Sequence, residues 1–487
     1  MKFIYNFDQQ HDTIAAIATP PGEGAISIIR ISGKDAISVF DKIFSKKTSQ
    51  MVSHSVHFGK ILDPQDKNKV VDTVLAFIMK APKSYTGENS VEINCHGGTL
   101  ITKKVFQRIL EAGARAALPG EFTLRAFLNN KIDLAQAEAI QTLISAQNEL
   151  ALKAAKEQLE GRLSQEIQTI QKELIETAAV LEAWVDFPEE GLEFQTMKEL
   201  KQHLLTTLIR MQKLAASFER GKKLTDGIQL TIIGTPNVGK SSLMNALCQK
   251  EKSIVTDIPG TTRDLIEEKI LLGSLHFHLT DTAGIRKTDQ TVEQEGVRRS
   301  EKALKKADLT LLILDASREL NTDDQTLLKT VDKAKTIVIW NKIDLNPAPK
   351  KIGFPHELLL SLKNEISLKK NSSEIKEKGL KAKEKNSKAN DLEEQGLEEL
   401  IQTIEKLAWQ KSESKEEIIL TKERHKNALG KAIENCQKAV YGLEQKSSAE
   451  FVAADMRFAL SALGQIIGHD LSEDILSEIF SKFCVGK

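Results

Sequence analysis

The segment Gly234-Thr-Pro-Asn-Val-Gly-Lys-Ser241 constrains this chain more than any other. It fits the spacing G-x-x-x-x-G-K-[ST], whose glycines let backbone N–H groups wrap a run of phosphates. Such a loop needs a strand leading in and a helix leading out. Gln229–Ile233 has the apolar, β-branched character of the strand, and Ser242–Leu247 the character of the helix. In that frame the N–H groups of Val238, Gly239, Lys240, Ser241 and Ser242 face the phosphates, Lys240 reaches the outer ones, and the Ser241 hydroxyl ligates Mg²⁺. A second segment, Asn341-Lys342-Ile343-Asp344, reads the base. The Asp344 carboxylate accepts from the ring imino and exocyclic amino groups of guanine, whereas adenine leaves it unpaired at a cost of ~1–3 kcal/mol or more. The ligand expected is GTP.

Two further features stand in the order this reading needs. Asp281-Thr-Ala-Gly284 follows the strand-like Leu275–Leu279, placing an Asp near Mg²⁺ and a Gly near the γ-phosphate. Leu309–Leu314 and Thr336–Trp340 are largely apolar runs of the kind buried in a parallel sheet, the second ending at Asn341. A length of 487 residues predicts about three domains. Lys+Arg 68 balances Asp+Glu 68, so any RNA contact must be local rather than driven by bulk charge. The cysteines Cys95, Cys248, Cys436 and Cys484 have neither metal-type nor paired spacing. With no apolar leader and no run near the ~18 residues of a membrane span, a cytoplasmic protein is expected.

The periodicity changes along the chain. Up to residue 122 short strands (Thr13–Thr19, Ala25–Ile31, Val70–Met79, Val91–Cys95) and a helix, Thr99–Glu111, suggest an α+β domain. Residues 123–223 turn helical, with Leu134, Ala137, Ile140 and Ile144 on one stripe and Leu163, Ile167, Ile170 and Leu174 on another. The nucleotide-binding α/β domain occupies 224–408, and helical periodicity returns over 409–487. The nucleotide domain therefore reads as an insert between two halves of a helical bundle domain. Residues 364–393, rich in Lys, Glu, Ser and Asn, read as a variable surface insertion. His276 and His278 alternate with apolar residues and are expected on a solvent face.

Several residues carry two readings. Thr256-Asp-Ile-Pro-Gly-Thr-Thr-Arg-Asp264 has the composition of a mobile switch, with Thr262 as the hydroxyl that closes on Mg²⁺. Ile285 stands where many small GTPases carry a water-orienting Gln, leaving Asp289, Glu293 and Glu295 as candidates for that task. Arg263 and Arg286 suit either arginine fingers or surface ion pairs. The Asn237 amide either caps the loop or offers an oxygen to a monovalent cation beside the phosphates. Cys484, near the terminus, is either a small apolar residue or a reactive thiol.

The chain resembles the MnmE (TrmE) family of tRNA modification GTPases over nearly its whole length. Besides the GTPase motifs, the resemblance rests on Ala18-Thr-Pro-Pro-Gly22, Ile29-Arg-Ile-Ser-Gly33, Thr86-Gly-Glu88, His96-Gly-Gly98, Pro119-Gly-Glu-Phe122, Arg125–Asn129, Lys131–Ala139 and the terminal Phe483-Cys-Val-Gly-Lys487. It implies an N-terminal dimerising, folate-binding α+β domain, an α-helical bundle domain and an inserted Ras-like P-loop GTPase domain. It also implies a homodimer working with the FAD-dependent partner MnmG (GidA), as a heterotetramer, on the wobble uridine of certain tRNAs. The implied product is 5-carboxymethylaminomethyluridine.

Carried over by position, Arg30, Glu92, Lys131 and Lys487 become contacts to 5-formyl-tetrahydrofolate or a related folate. Asn237, with Thr256, Ile258 and Thr261, becomes the K⁺ site; Ser241 and Thr262 hold Mg²⁺; and Glu293 and Cys484 take catalytic roles. Asp281, Gly284, Lys342 and a serine of the guanine-backing loop complete the GTP site. That loop is blurred: Ser361-Leu-Lys363 and Ser367-Leu-Lys369 both fit loosely, and Ser361 is preferred because Leu358–Leu360 gives it a preceding strand. The rival reading is a regulatory GTPase for ribosome assembly without modification chemistry.

Overall fold

In the computed structural model the described residues are 5, 12–63, 69–186, 196–250, 267–281, 304–345, 349, 351–362, 383–409, 418–445 and 447–486. The chain forms two compact units. One comprises Met1–Ser145, Ala155–Ala215 and Glu423–Lys487, the other Ala146–Ala154 and Ala216–Lys422.

The first unit begins with six strands, β1 (Ile14–Ile17), β2 (Ile26–Ser32), β3 (Val56–Leu62), β4 (Val70–Met79), β5 (Ser90–His96) and β6 (Arg115–Ala116), in the order β3-β4-β5-β2-β1-β6. Alternation along the strands gives the sheet two unlike faces. One, with Ile29, Ile31, Val74, Ala76 and Ile93, is buried with Phe40 of α1 (Ala36–Asp41) and with Val105 and Ile109 of α2 (Thr99–Glu111). On the other face the register lines up Phe58, Leu75, Asn94 and Ile28 in one row and Val56, Phe77, Glu92, Arg30 and Ala16 in the next. Val56, Phe58 and Leu75 there are exposed.

The rest of this unit is helical: α3 (Glu121–Leu128), α4 (Leu134–Ser145), α5 (Glu149–Leu159, from Ala155), α6 (Arg162–Asp186), α7 (Met197–Ala216), and, after the second unit, three C-terminal helices. The stripe expected on α6 is buried at Leu163, Ile167, Ile170 and Leu174. On α4 the stripe holds at Leu134, Ala137 and Ile140 but ends before Ile144, which is 49% exposed.

A buried ion cluster ties the chain's return to α4. The Arg424 Nη2 donates to Glu138 Oε2 at 2.8 Å and to the Ile466 carbonyl at 3.0 Å, and His425 Nε2 lies 2.7 Å from Glu138 Oε2. Burial alone would raise the Glu138 carboxyl, but His425 and Arg424 override it and hold the group well below the usual carboxylate range. A group with a depressed folded pKa stabilises above its unfolded value of 4.5 and loses that contribution as pH falls through the folded one. Glu138→Ala, by removing the carboxylate shared by Arg424 and His425, is expected to cost about 3 kcal/mol in urea unfolding at neutral pH. That deficit should shrink on acidification below the unfolded value.

The second unit is built on a mainly parallel sheet. Its strands are β7 (Ile228–Ile233), β8 (Glu267–Leu272), β9 (Leu275–Asp281), β10 (Leu309–Asp315), β11 (Thr336–Asn341) and β12 (Glu357–Leu359), in the order β12-β11-β10-β7-β9-β8. Only β8, paired with β9, runs antiparallel. Every residue of β10 and β11 is buried, as expected of largely apolar strands covered on both faces. One face packs Leu230, Ile232, Leu311 and Ile313 on Leu243 and Leu247 of α9 (Lys240–Lys250) and on Leu400 and Ile404 of the helix Lys383–Ala408. The other gathers Ile233, Leu312, Leu314, Val338 and Trp340 around Leu327 of α10 (Thr322–Thr330).

The chain's way in and way out of this unit touch. α8 (Phe218–Asp226) passes so close to Leu420 that a Cβ at Gly221 would lie 1.9 Å from the Leu420 carbonyl, and Leu420 N donates to Ser217 Oγ at 3.0 Å.

One expectation is corrected. His276 and His278 are half-buried rather than on a solvent face, and α8 ends against His278, whose Nε2 lies 2.8 Å from the Asp226 carbonyl. The backbone is helical from Lys383, within the segment 364–393 read as an insertion. Residues 364–382 lie outside the described residues. Among the described residues no helix is long and apolar enough to cross a membrane.

Candidate functional site

The phosphate loop leaves β7 through Gly234 at φ +156°, where a Cβ would stand 2.5 Å from the Ile313 carbonyl. It turns at Asn237, a non-glycine residue at φ +61°, and enters α9 through Gly239 at φ +108°. A Cβ at Gly239 would meet Asn341 Nδ2 at 2.2 Å, so glycine here lets the loop lie against the base-reading segment. Lys240, buried, donates to the carbonyls of Gly234 at 2.9 Å and Thr235 at 2.8 Å. Its ammonium is thus curled into the loop itself. Val238 is buried behind the loop, while Asn237 and Ser241 are exposed on it and Ser242 is half-buried.

The base-reading residues meet the loop from β11. Asn341 Nδ2 donates to the Val238 carbonyl at 2.7 Å, and its Oδ1 accepts from Leu362 N at 3.2 Å. Ser361 Oγ donates to Asp344 Oδ1 at 2.8 Å, which puts Ser361, after β12, beside the carboxylate expected to read guanine. Its rival Ser367 lies outside the described residues. Lys342, itself at φ +64°, donates to Asp315 Oδ2 at 2.6 Å. Burial would raise the Asp315 carboxyl, but Lys342 and Ser317 hold it below its ordinary value.

The sequence reading passed over Asp315. A charged residue closing a largely apolar, buried strand was the available signal. It also passed over Thr235, Arg318 and Asp324, which contact one another beneath the loop.

The Mg²⁺, K⁺ and water-orienting assignments at Thr256, Ile258, Thr261, Thr262, Gly284 and Glu293 lie outside the described residues, as do Arg263, Arg286, Asp289 and Glu295. Asp281 ends β9, the strand beside β7. Among the described residues no cluster of three or more His, Cys, Asp or Glu is placed to hold a metal.

In the first unit a second constellation forms on the open sheet face. Arg30 Nε donates to Glu92 Oε1 at 2.7 Å, Arg30 Nη1 donates to the Gly486 carbonyl at 3.1 Å, and the guanidinium lies 5.8 Å from the Phe122 ring centroid. The C-terminal tail is pinned there. The Cys484 carbonyl accepts from Gly120 N at 3.2 Å, Val485 pairs with Pro119, and a Cβ at Gly486 would come within 2.9 Å of the Ile17 carbonyl. Lys487 lies outside the described residues, directly after the glycine on Arg30.

Lys131 donates to the Pro82 carbonyl at 3.2 Å, at the far end of the loop that carries Thr86-Gly-Glu88. Asn94, two residues from Glu92 on the same face, has a buried Oδ1 without a hydrogen-bond partner among the described residues. Sequence reading missed it, because nothing in a strand's alternation separates this Asn from a solvent-facing one. Cys484 is exposed and borders a cavity of about 700 Å³ with Ala16, Thr19, Thr102, Lys103 and Ile144.

Comparison with known proteins covers the whole chain. Residues 13–131 match the family described as GTP-binding protein TrmE N-terminus, and residues 134–484 match the MnmE helical domain. A relative from Protochlamydia amoebophila, named tRNA modification GTPase MnmE, is 53% identical over 489 residues, covering 100% of both chains. Proteins of the same name from Alkaliphilus oremlandii and Thermoanaerobacter pseudethanolicus are 42% and 43% identical, each across 98% of this chain and 99% of the relative.

Proposed function

The chain belongs to the MnmE (TrmE) family of tRNA modification GTPases, and from that premise we propose that it couples potassium-stimulated GTP hydrolysis to folate-dependent modification of the wobble uridine of certain tRNAs. It is a GTP hydrolase acting in tRNA modification. The observation that carries the finer reading is the coexistence, in one chain, of the phosphate loop and the Arg30–Glu92 pair under the C-terminal tail.

In the GTPase unit the loop N–H groups and Lys240 would bind the phosphates, Asp344 backed by Ser361 would select guanine, and Ser241 with Thr262 would hold Mg²⁺. Asn237, exposed on the loop, would hold K⁺ with Thr256, Ile258 and Thr261, and Glu293 would orient water. The cation supplies positive charge where an arginine finger acts in other GTPases.

The open sheet face fits a pterin. Glu92 and Arg30 present a carboxylate and a cation side by side, and the partnerless Asn94 Oδ1 is an acceptor suited to a pterin N–H. Lys131 and Lys487 would take the anionic tail. The folate, when bound, would supply the one-carbon unit, and Cys484, exposed three residues before Lys487, is the thiol assigned the catalytic role. The exposed Val56, Phe58 and Leu75 on this same face support a homodimer formed through it. A heterotetramer with the FAD-dependent MnmG would complete the assembly.

Reconstitution with the flavoprotein partner, GTP and unmodified tRNA tests the reading by nucleoside analysis. Modification of the wobble uridine should need both folate and K⁺. Unchanged product on omitting folate, or on replacing K⁺ by Na⁺, would remove the corresponding element. A normal wobble uridine in cells lacking the protein would favour the ribosome-assembly alternative.

A further inference from the structure

The phosphate loop is anchored from below through one of its variable positions by two side chains outside its motif, Arg318 and Asp324. Thr235, its second residue, donates through Oγ1 to Asp324 Oδ1 at 2.9 Å. Arg318 spans the pair: Nη1 donates to Asp324 Oδ2 at 2.6 Å, and Nη2 donates to Thr235 Oγ1 at 3.0 Å and to Asp324 Oδ1 at 3.3 Å. Asp324 is fully buried, and it also accepts from Asn321 N at 3.1 Å while its own N–H donates to Asn321 Oδ1 at 2.8 Å, capping α10. Burial of that carboxyl is outweighed by Arg318, which keeps it ionised.

We propose that Thr235, Asp324 and Arg318 form a clamp that positions the phosphate loop, and through it the ammonium of Lys240, for GTP hydrolysis. The link is direct. The two carbonyls that hold Lys240 belong to Gly234 and Thr235, so fixing the Thr235 side chain fixes one of the Lys240 acceptors and the peptide leading into it. The anchor itself is stiff. A buried carboxylate whose oxygens are taken by a two-pronged guanidinium, a capping N–H and a hydroxyl has few alternative geometries. A threonine hydroxyl that donates to the acid and accepts from the arginine is likewise held in one rotamer. These are positioning residues, acting through Lys240 rather than on the nucleotide.

The experiment measures steady-state GTP hydrolysis by the full-length protein and three variants. Thr235→Val keeps the side-chain shape and removes the hydroxyl; it should lower kcat by about tenfold with KM changed by less than about threefold, since a displaced lysine is felt most where charge develops. Thr235→Ser, which restores the hydroxyl, should recover most of that loss. Arg318→Lys keeps the charge but loses the fork, and should lower kcat severalfold in the same direction. Thermal unfolding of each variant is followed in parallel. A wild-type kcat in Thr235→Val, or an equal loss in Thr235→Val and Thr235→Ser, would overturn the proposal. If Thr235→Val does not fold, a wild-type kcat in Arg318→Lys overturns it instead.

Discussion

Asp344→Asn is expected to turn the protein from guanine to xanthine nucleotides. The side chain of Asp344 accepts from Ser361, so its place is set by β11 on one side and the segment after β12 on the other. A carboxylate at that place is acceptor-only and matches the two N–H donors on one edge of guanine. Asparagine turns one acceptor into a donor, which faces the guanine amino group unfavourably but pairs with the carbonyl that xanthine carries there. Sites built around such a donor–acceptor match discriminate strongly, so GTP affinity should fall ~10³-fold or more while XTP gains. Competition of the two triphosphates against a fluorescent guanine nucleotide measures both. An unchanged preference for GTP in Asp344→Asn would mean that base reading lies elsewhere.

Lys240→Ala carries the second large effect. Its ammonium is buried and satisfied by two backbone carbonyls, so it is already oriented toward the loop interior before charge builds on the phosphates. Removing a preorganised cation from such a position costs about 10²–10³-fold in kcat/KM. Lys240→Arg should not rescue it, because a planar fork cannot occupy the space between the two carbonyls and the loop wall. Single-turnover hydrolysis separates this chemical loss from weakened binding. A rate within about tenfold of wild type would contradict the assigned role.

How much of this was legible beforehand depends on sequence distance. The strand–loop–helix around Gly234–Ser241 could be read because each of its requirements is local: an apolar run, glycines where the backbone needs φ > 0, and a helix to follow. Buried strands such as Leu309–Asp315 could be read for the same reason, since a strand covered on both faces has no polar alternation to obscure it. His278 was misplaced because alternation shows which residues share a face but not that α8 ends against this one. Asn94 and Asp324 gave no signal at all. Their importance lies in having, respectively, no partner and a partner 89 residues away.

By itself, then, the sequence determined a phosphate-binding loop, its guanine preference, the membership implied by the flanking segments and the alternation of sheet and helical regions. Tertiary structure alone decided which of those pieces meet. Strand register brought Arg30 onto Glu92, the tail carried Gly486 across 456 positions to the same guanidinium, and the return of the chain set Arg424 on Glu138. The physical reason is that backbone propensity and turn chemistry act over a few residues. The burial of a charge, by contrast, becomes tolerable only where the whole fold delivers an opposite charge or a hydrogen-bond donor to it.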